Sequence, residues 1–84
     1  MLFGIIGGDR RQEVLLDLLR KDGYPVAAYG VAGEADWENA VTAEVVILPL
    51  PLCREGDTLN MEGEQRGVGA LFHRLRRDQL ILAG

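Results

Sequence analysis

With 84 residues, 48% of them hydrophobic and 26% charged, the chain has the make-up of one small soluble domain, 1–84. Its net charge of −4 argues against a nucleic-acid binder, which needs a basic face, and its single cysteine, Cys53, excludes an internal disulfide framework or a multi-cysteine zinc site. No signal-peptide pattern and no apolar run approaching about 18 residues is present, so a cytoplasmic protein without a membrane span is expected.

The first seventeen residues organise the rest. Leu2, Phe3, Ile5 and Ile6 read as a short buried strand, Gly7-Gly8 as a tight turn, and Asp9 as the N-cap of a helix running to Asp22. Gln12, three residues on, completes a capping-box-like pair with Asp9. Val14, Leu15, Leu18 and Leu19 form the stripe expected to pack on a sheet, Arg20 and Lys21 suit the dipole of the last turn, and Gly23 is the expected left-handed cap. A strand, a glycine turn and a helix also make an anion site, because the first helical amides lack intrahelical partners and glycines let a ligand approach. Arg10 and Arg11 put two guanidinium forks on that turn. A plain strand-to-helix turn with solvated arginines explains the same residues.

Pro25 opens a second strand, Val26 to Tyr29, closed by Gly30 and Gly33. Glu34 to Thr42 reads as a short helix or helical turn with Trp37, Ala40 and Val41 on its apolar side. Glu44 to Leu48 is the most hydrophobic run and suits a central parallel strand, ended by Pro49. From Pro49 to about Arg66 there is no periodicity, and an irregular loop of that length is usually functional or mobile. Val68, Leu71, Phe72 and Leu75 predict an amphipathic helix to about Arg77, and Leu80 to Leu82 a fourth strand.

Strands alternating with crossovers predict an α/β fold: a three-layer open parallel sheet of four strands in the order 2-1-3-4, flavodoxin-like or Rossmann-like. Ligands in such folds bind beyond the carboxyl ends of the strands, at the switch between strands one and three. Gly7 to Gln12 and Pro49 to Asp57 both fall there.

Dinucleotide binding is argued against. The third glycine of G-x-G-x-x-G is missing, and Ala28-Tyr29-Gly30 offers no acid for a ribose. His73, the sole histidine, reads as a solvated imidazole on the last helix, and Cys53 as a half-buried loop thiol. The acids Glu55, Asp57, Glu62 and Glu64 fit no calcium-loop spacing and read as a solvated loop.

The segment IIGGDRRQ after the first strand and VVILPLPLCREGDTLN after the third together resemble one family. It is the N-terminal domain of the A subunit of dipicolinate synthase, a dehydrogenase of bacterial sporulation. The resemblance rests on Gly7-Gly8-Asp9, Arg11-Gln12 and Leu48-Pro49-Leu50-Pro51, and runs through nearly the whole chain. It implies a flavodoxin-like substrate-side domain with no cofactor of its own, NADP being bound by a second, Rossmann domain of the full-length protein. It also implies a partner, the flavoprotein B subunit. It further implies a substrate site of Gly7, Gly8, Asp9, Arg11, Gln12, Pro49 and Pro51. Arg11 and the helix amides would hold a small dicarboxylate, Gln12 would orient, and the prolines would shape the wall. Because the sequence stops at its fourth strand, an excised domain or a stand-alone relative, inactive alone, is expected. An uncovered apolar face near Leu80 to Leu82 then predicts a homo-oligomer. A stand-alone anion- or nucleotide-binding module and a ligand-free interaction domain are the competing readings.

Overall fold

Phe3–Ile6 forms the central strand β1, buried because it is flanked on both edges and covered on both faces. The structure, a computed structural model, describes residues 1–49, 52–56, 58–60 and 66–83. After β1 come α1 (Arg10–Lys21), β2 (Val26–Val31), β3 (Glu34–Ala35), α2 (Trp37–Thr42), β4 (Val45–Leu48), β5 (Cys53–Glu55), β6 (Thr58–Leu59), α3 (Val68–Arg74) and β7 (Leu80–Ala83). The main sheet has the order β3-β2-β1-β4-β7, and β5 pairs with β6 in a separate hairpin. Its four long strands are parallel in the expected 2-1-3-4 arrangement, with β1 between β2 and β4 and β7 outside β4. The added strand, β3, lies antiparallel on the outer edge of β2.

That addition corrects the sequence reading, which began a helix at Glu34. Ala32 and Gly33 both take positive φ, 53° and 74°, the backbone of a tight two-residue hairpin turn, and the chain folds back before the helix starts at Trp37. Three further boundaries differ, the first being that β2 runs through Gly30 to Val31 instead of closing at Tyr29. The last helix stops at Arg74 rather than Arg77, and the 49–66 stretch contains the β5–β6 hairpin instead of being irregular throughout.

One cluster, Ile5, Leu16, Ala28, Val31, Val45 and Ile47, lies beneath α1. The other face carries Ile6, Tyr29, Val46 and Leu48 against Trp37, Ala40 and Val41 of α2, Leu71 of α3 and Leu59 of β6. Each fully buried aliphatic side chain there contributes about 1.5–3 kcal/mol. Close approach of α2 needs Gly4: a Cβ on that residue would stand 2.0 Å from the Ala40 carbonyl oxygen.

α1 packs through a different stripe from the one expected. Gln12 and Leu16 are buried and Leu15 and Leu19 half-buried, whereas Val14 and Leu18 are 45% and 54% exposed. Arg20 at its far end grips both carboxylate oxygens of Glu34 and the Val26 carbonyl, tying α1 to the β2–β3 edge. At the opposite edge β7 is open: Leu80, Ile81 and Leu82 are 56%, 37% and 44% exposed, in line with the uncovered apolar surface expected there. Gln79 leads into this strand, buried, its Nε2 donating to the carbonyls of both Val41 and Ala43 at 2.7 Å. No helix among the described residues is long and apolar enough to cross a membrane.

Candidate functional site

β1 is followed by α1 on one face of the sheet and β4 leads toward the hairpin on the other, so the switch point, where folds of this kind place a crevice, lies at the carboxyl ends of these two strands. Gly7 and Gly8 make the turn at φ 63° and 99°, and a Cβ on Gly8 would lie 2.1 Å from Gln12 Cγ. Asp9 caps α1 as expected, its Oδ1 accepting from the Arg11 amide at 3.0 Å. Arg11 also folds its guanidinium back onto Asp9, Nη2 to Oδ2 at 3.4 Å, with both side chains largely exposed. The Arg11 amide first, and its side chain second, hold the Asp9 carboxyl below the usual carboxylate range.

Gln12 does not complete a capping box. Its side chain is buried beneath the turn, with Nε2 3.4 Å from the Ile47 carbonyl, so it braces α1 against β4. Pro49 is fully buried at the end of β4. Pro51 lies outside the described residues, as do Leu50, Asp57, Glu62 and Glu64.

The amides of this turn are engaged within the fold. Gly7 N–H donates to the Tyr29 carbonyl at 2.7 Å and Gly8 N–H to the Asn60 carbonyl at 2.6 Å. Gln12 and Glu13 donate to the Asp9 carbonyl at 3.0 and 3.2 Å. The vacant cradle expected from the glycines is therefore closed at these four positions. Arg10 and Arg11, with Val14, line a shallow open depression at the head of α1.

Arg66 is a residue that the sequence did not point to. Its Nε donates to Tyr29 Oη at 2.8 Å, and its guanidinium carbon stands 4.4 Å from the Trp37 ring centroid and 5.2 Å from that of Tyr29. The two rings meet edge to face at 4.9 Å. Arg66 also fastens the hairpin, its carbonyl accepting from the Leu59 amide at 2.9 Å. Three residues from distant parts of the chain meet there, and no local spacing announces the contact. His73 is exposed on α3, and Cys53 is a half-buried thiol on β5. No group of three metal-ligating side chains occurs among the described residues.

The groups that a dinucleotide site would use are otherwise engaged here. Asn60 occupies the Gly8 amide, Asp9 sets a carboxylate at the helix start, and Glu34, the acid nearest the end of β2, is held by Arg20. Neither a curated protein nor a solved structure matches the chain. The family model for the N-terminal domain of the dipicolinate synthase A subunit matches residues 2–84, nearly the whole length. The chain accordingly belongs to the family of N-terminal domains of the dipicolinate synthase A subunit.

Proposed function

We propose that this domain is the substrate-side part of a dipicolinate synthase-type dehydrogenase, binding a small aromatic dicarboxylate at the carboxyl ends of β1 and β4. The match over residues 2–84 carries this reading. The substrate class follows from the family's product, and Arg10 and Arg11 supply cationic groups of the right kind beside the crevice. In this reading the domain holds and orients dihydrodipicolinate while it loses two hydrogens to become dipicolinate, in the cytoplasm of a sporulating cell. NADP and the hydride transfer belong to another domain of the full-length enzyme, so this domain alone is not catalytic. The flavoprotein B subunit is the expected partner.

Calorimetric titration and thermal unfolding of the purified chain with dipicolinate, and separately with NADP, test the proposal. Binding and stabilisation by dipicolinate alone, weakened on the order of ten-fold or more by Arg11→Ala, is the expected result. Stabilisation by NADP instead would make the domain a nucleotide module, and silence toward both would make it a ligand-free interaction domain.

A further inference from the structure

We propose that Arg66 is a second carboxylate-binding residue of this domain, a preorganised fork facing the crevice from the side of the sheet opposite α1. The inference rests on the dicarboxylate reading above and adds a residue to it. Tyr29, which holds Arg66 through its hydroxyl, stands opposite Ile6 in the β1–β2 register, and its own carbonyl receives the Gly7 N–H, so its strand position adjoins the glycine turn. Its side chain belongs to the cluster on the α2 and α3 face, whereas Arg10 and Arg11 sit at the head of α1 on the other face. Arg66 and the Arg10–Arg11 pair thus lie on opposite faces of the sheet.

The state of Arg66 is what singles it out. The planar group is half-buried and stacked on Trp37, with Nε committed to Tyr29 Oη. Nη1 and Nη2 meet no acceptor among the described residues. The neighbouring carboxylate, Glu38, is taken: both its oxygens accept from Arg74 at 2.6 Å. Glu38 still acts on Arg66 at longer range, but the outer edge of this half-buried guanidinium gains a charge-assisted contact only when a carboxylate completes it. A guanidinium already fixed in plane and in direction loses little freedom when it binds a carboxylate through its remaining edge.

The test is calorimetric titration of wild type, Arg66→Ala, Arg66→Lys and Tyr29→Phe with dipicolinate and with malonate, alongside thermal unfolding of each. Emission of Trp37, the single tryptophan, is followed in the same titrations. Arg66→Ala should weaken dipicolinate by about ten-fold or more, the loss of a charge-assisted contact. Arg66→Lys, which keeps the charge and loses the fork, should weaken it severalfold at a similar melting temperature, and Tyr29→Phe by a smaller factor. Ligand should perturb Trp37 emission in wild type and not in Arg66→Ala. Arg11-dependent binding that Arg66→Lys leaves within two-fold of wild type would overturn the inference and leave Arg66 a fastening of the hairpin. Arg66-dependent binding of malonate without binding of dipicolinate would sink the substrate reading and keep the inference. Binding of neither would sink both.

Discussion

Gly8 donates its backbone N–H to the carbonyl of Asn60 across 2.6 Å, joining the turn after the central strand to the end of the β5–β6 hairpin. Leu59, beside Asn60, is wholly buried in the core between sheet and helices. This part of the hairpin is therefore a wall of the crevice held by packing, and lifting it would expose a leucine at a cost of about 1.5–3 kcal/mol.

The same turn and the strand before it set a graded series of glycine substitutions. Gly4→Ala drives a Cβ to 2.0 Å from a backbone oxygen of α2, which cannot yield without moving the helix, and should cost about 3 kcal/mol or more. Gly8→Ala meets Gln12 Cγ at 2.1 Å and imposes a side chain at φ +99°, for about 1–3 kcal/mol. Gly23→Ala meets nothing within 4 Å and bears only its φ of +89°, at about 1 kcal/mol. Urea unfolding midpoints should fall in that order. A Gly4→Ala protein as stable as wild type would refute the packing described for α2.

Gln79→Leu tests a second buried device. The substitution removes two donors from Val41 and Ala43 and the Oε1 that accepts from the Arg76 amide at 2.5 Å. Side-chain volume is roughly kept, so the loss is polar: about 1–3 kcal/mol, read as a lower urea midpoint at unchanged slope. Gain or constancy of stability would mean these three bonds are dispensable.

The order of the four parallel strands and three helices was legible because the apolar runs of β1 and β4 and the helical run of α1 give way to Gly7, Pro49 and Gly23, residues that favour turns and, for proline, cannot continue a central strand. What failed to show lies where local rules compete. In α1, apolar residues at 14, 15, 16, 18 and 19 cover too wide an arc to declare one face, and the amide of Gln12 disguises a position that points at the sheet. The turn into β3 uses Ala32 at positive φ, where Asn or Asp would have announced a hairpin. At the site, Asp9 and its place at the switch point followed from spacing alone. Capture of the Gly8 amide by Asn60, and of the Arg66 fork by Tyr29 and Trp37, depends on contacts 52, 37 and 29 positions apart in sequence.

Acid should weaken the fold through its exposed and half-buried carboxylates. Hydrogen bonding to Arg20 holds Glu34 below its ordinary value of 4.5, and Arg74 does the same for Glu38. A depressed folded-state value contributes stability above the unfolded range, which is lost as pH falls through the folded value. Melting temperature should therefore decline below about pH 4.5. Glu34→Gln should flatten that decline without abolishing it, since Asp9 and Glu38 shift in the same direction. The side chains of Arg20 and Glu34 are 41% and 33% exposed, so the pair contributes no more than about 1 kcal/mol near neutrality and less in high salt. An unchanged acid limb in Glu34→Gln would remove this pair from the account.

The two edges of the sheet carry opposite designs, and the last prediction follows from the contrast. β3 is two residues long, preceded by an irregular register against β2, and bears Glu34: each feature blunts an edge against further pairing. β7 has four residues, Leu80-Ile81-Leu82-Ala83, with no charge, proline or break in its register with β4. Its outer edge pairs with no strand among the described residues, and a second copy of β7 would fit it antiparallel about a two-fold axis. The chain should therefore self-associate with rising concentration, read as a weight-average mass above that of the monomer in light scattering. Leu82→Lys places a charge on the edge at a residue already 44% exposed, so it should shift association to higher concentration at little cost to folding. A wild-type chain that stays monomeric across the range, or a Leu82→Lys protein that associates just as readily, would rule out this edge as the contact.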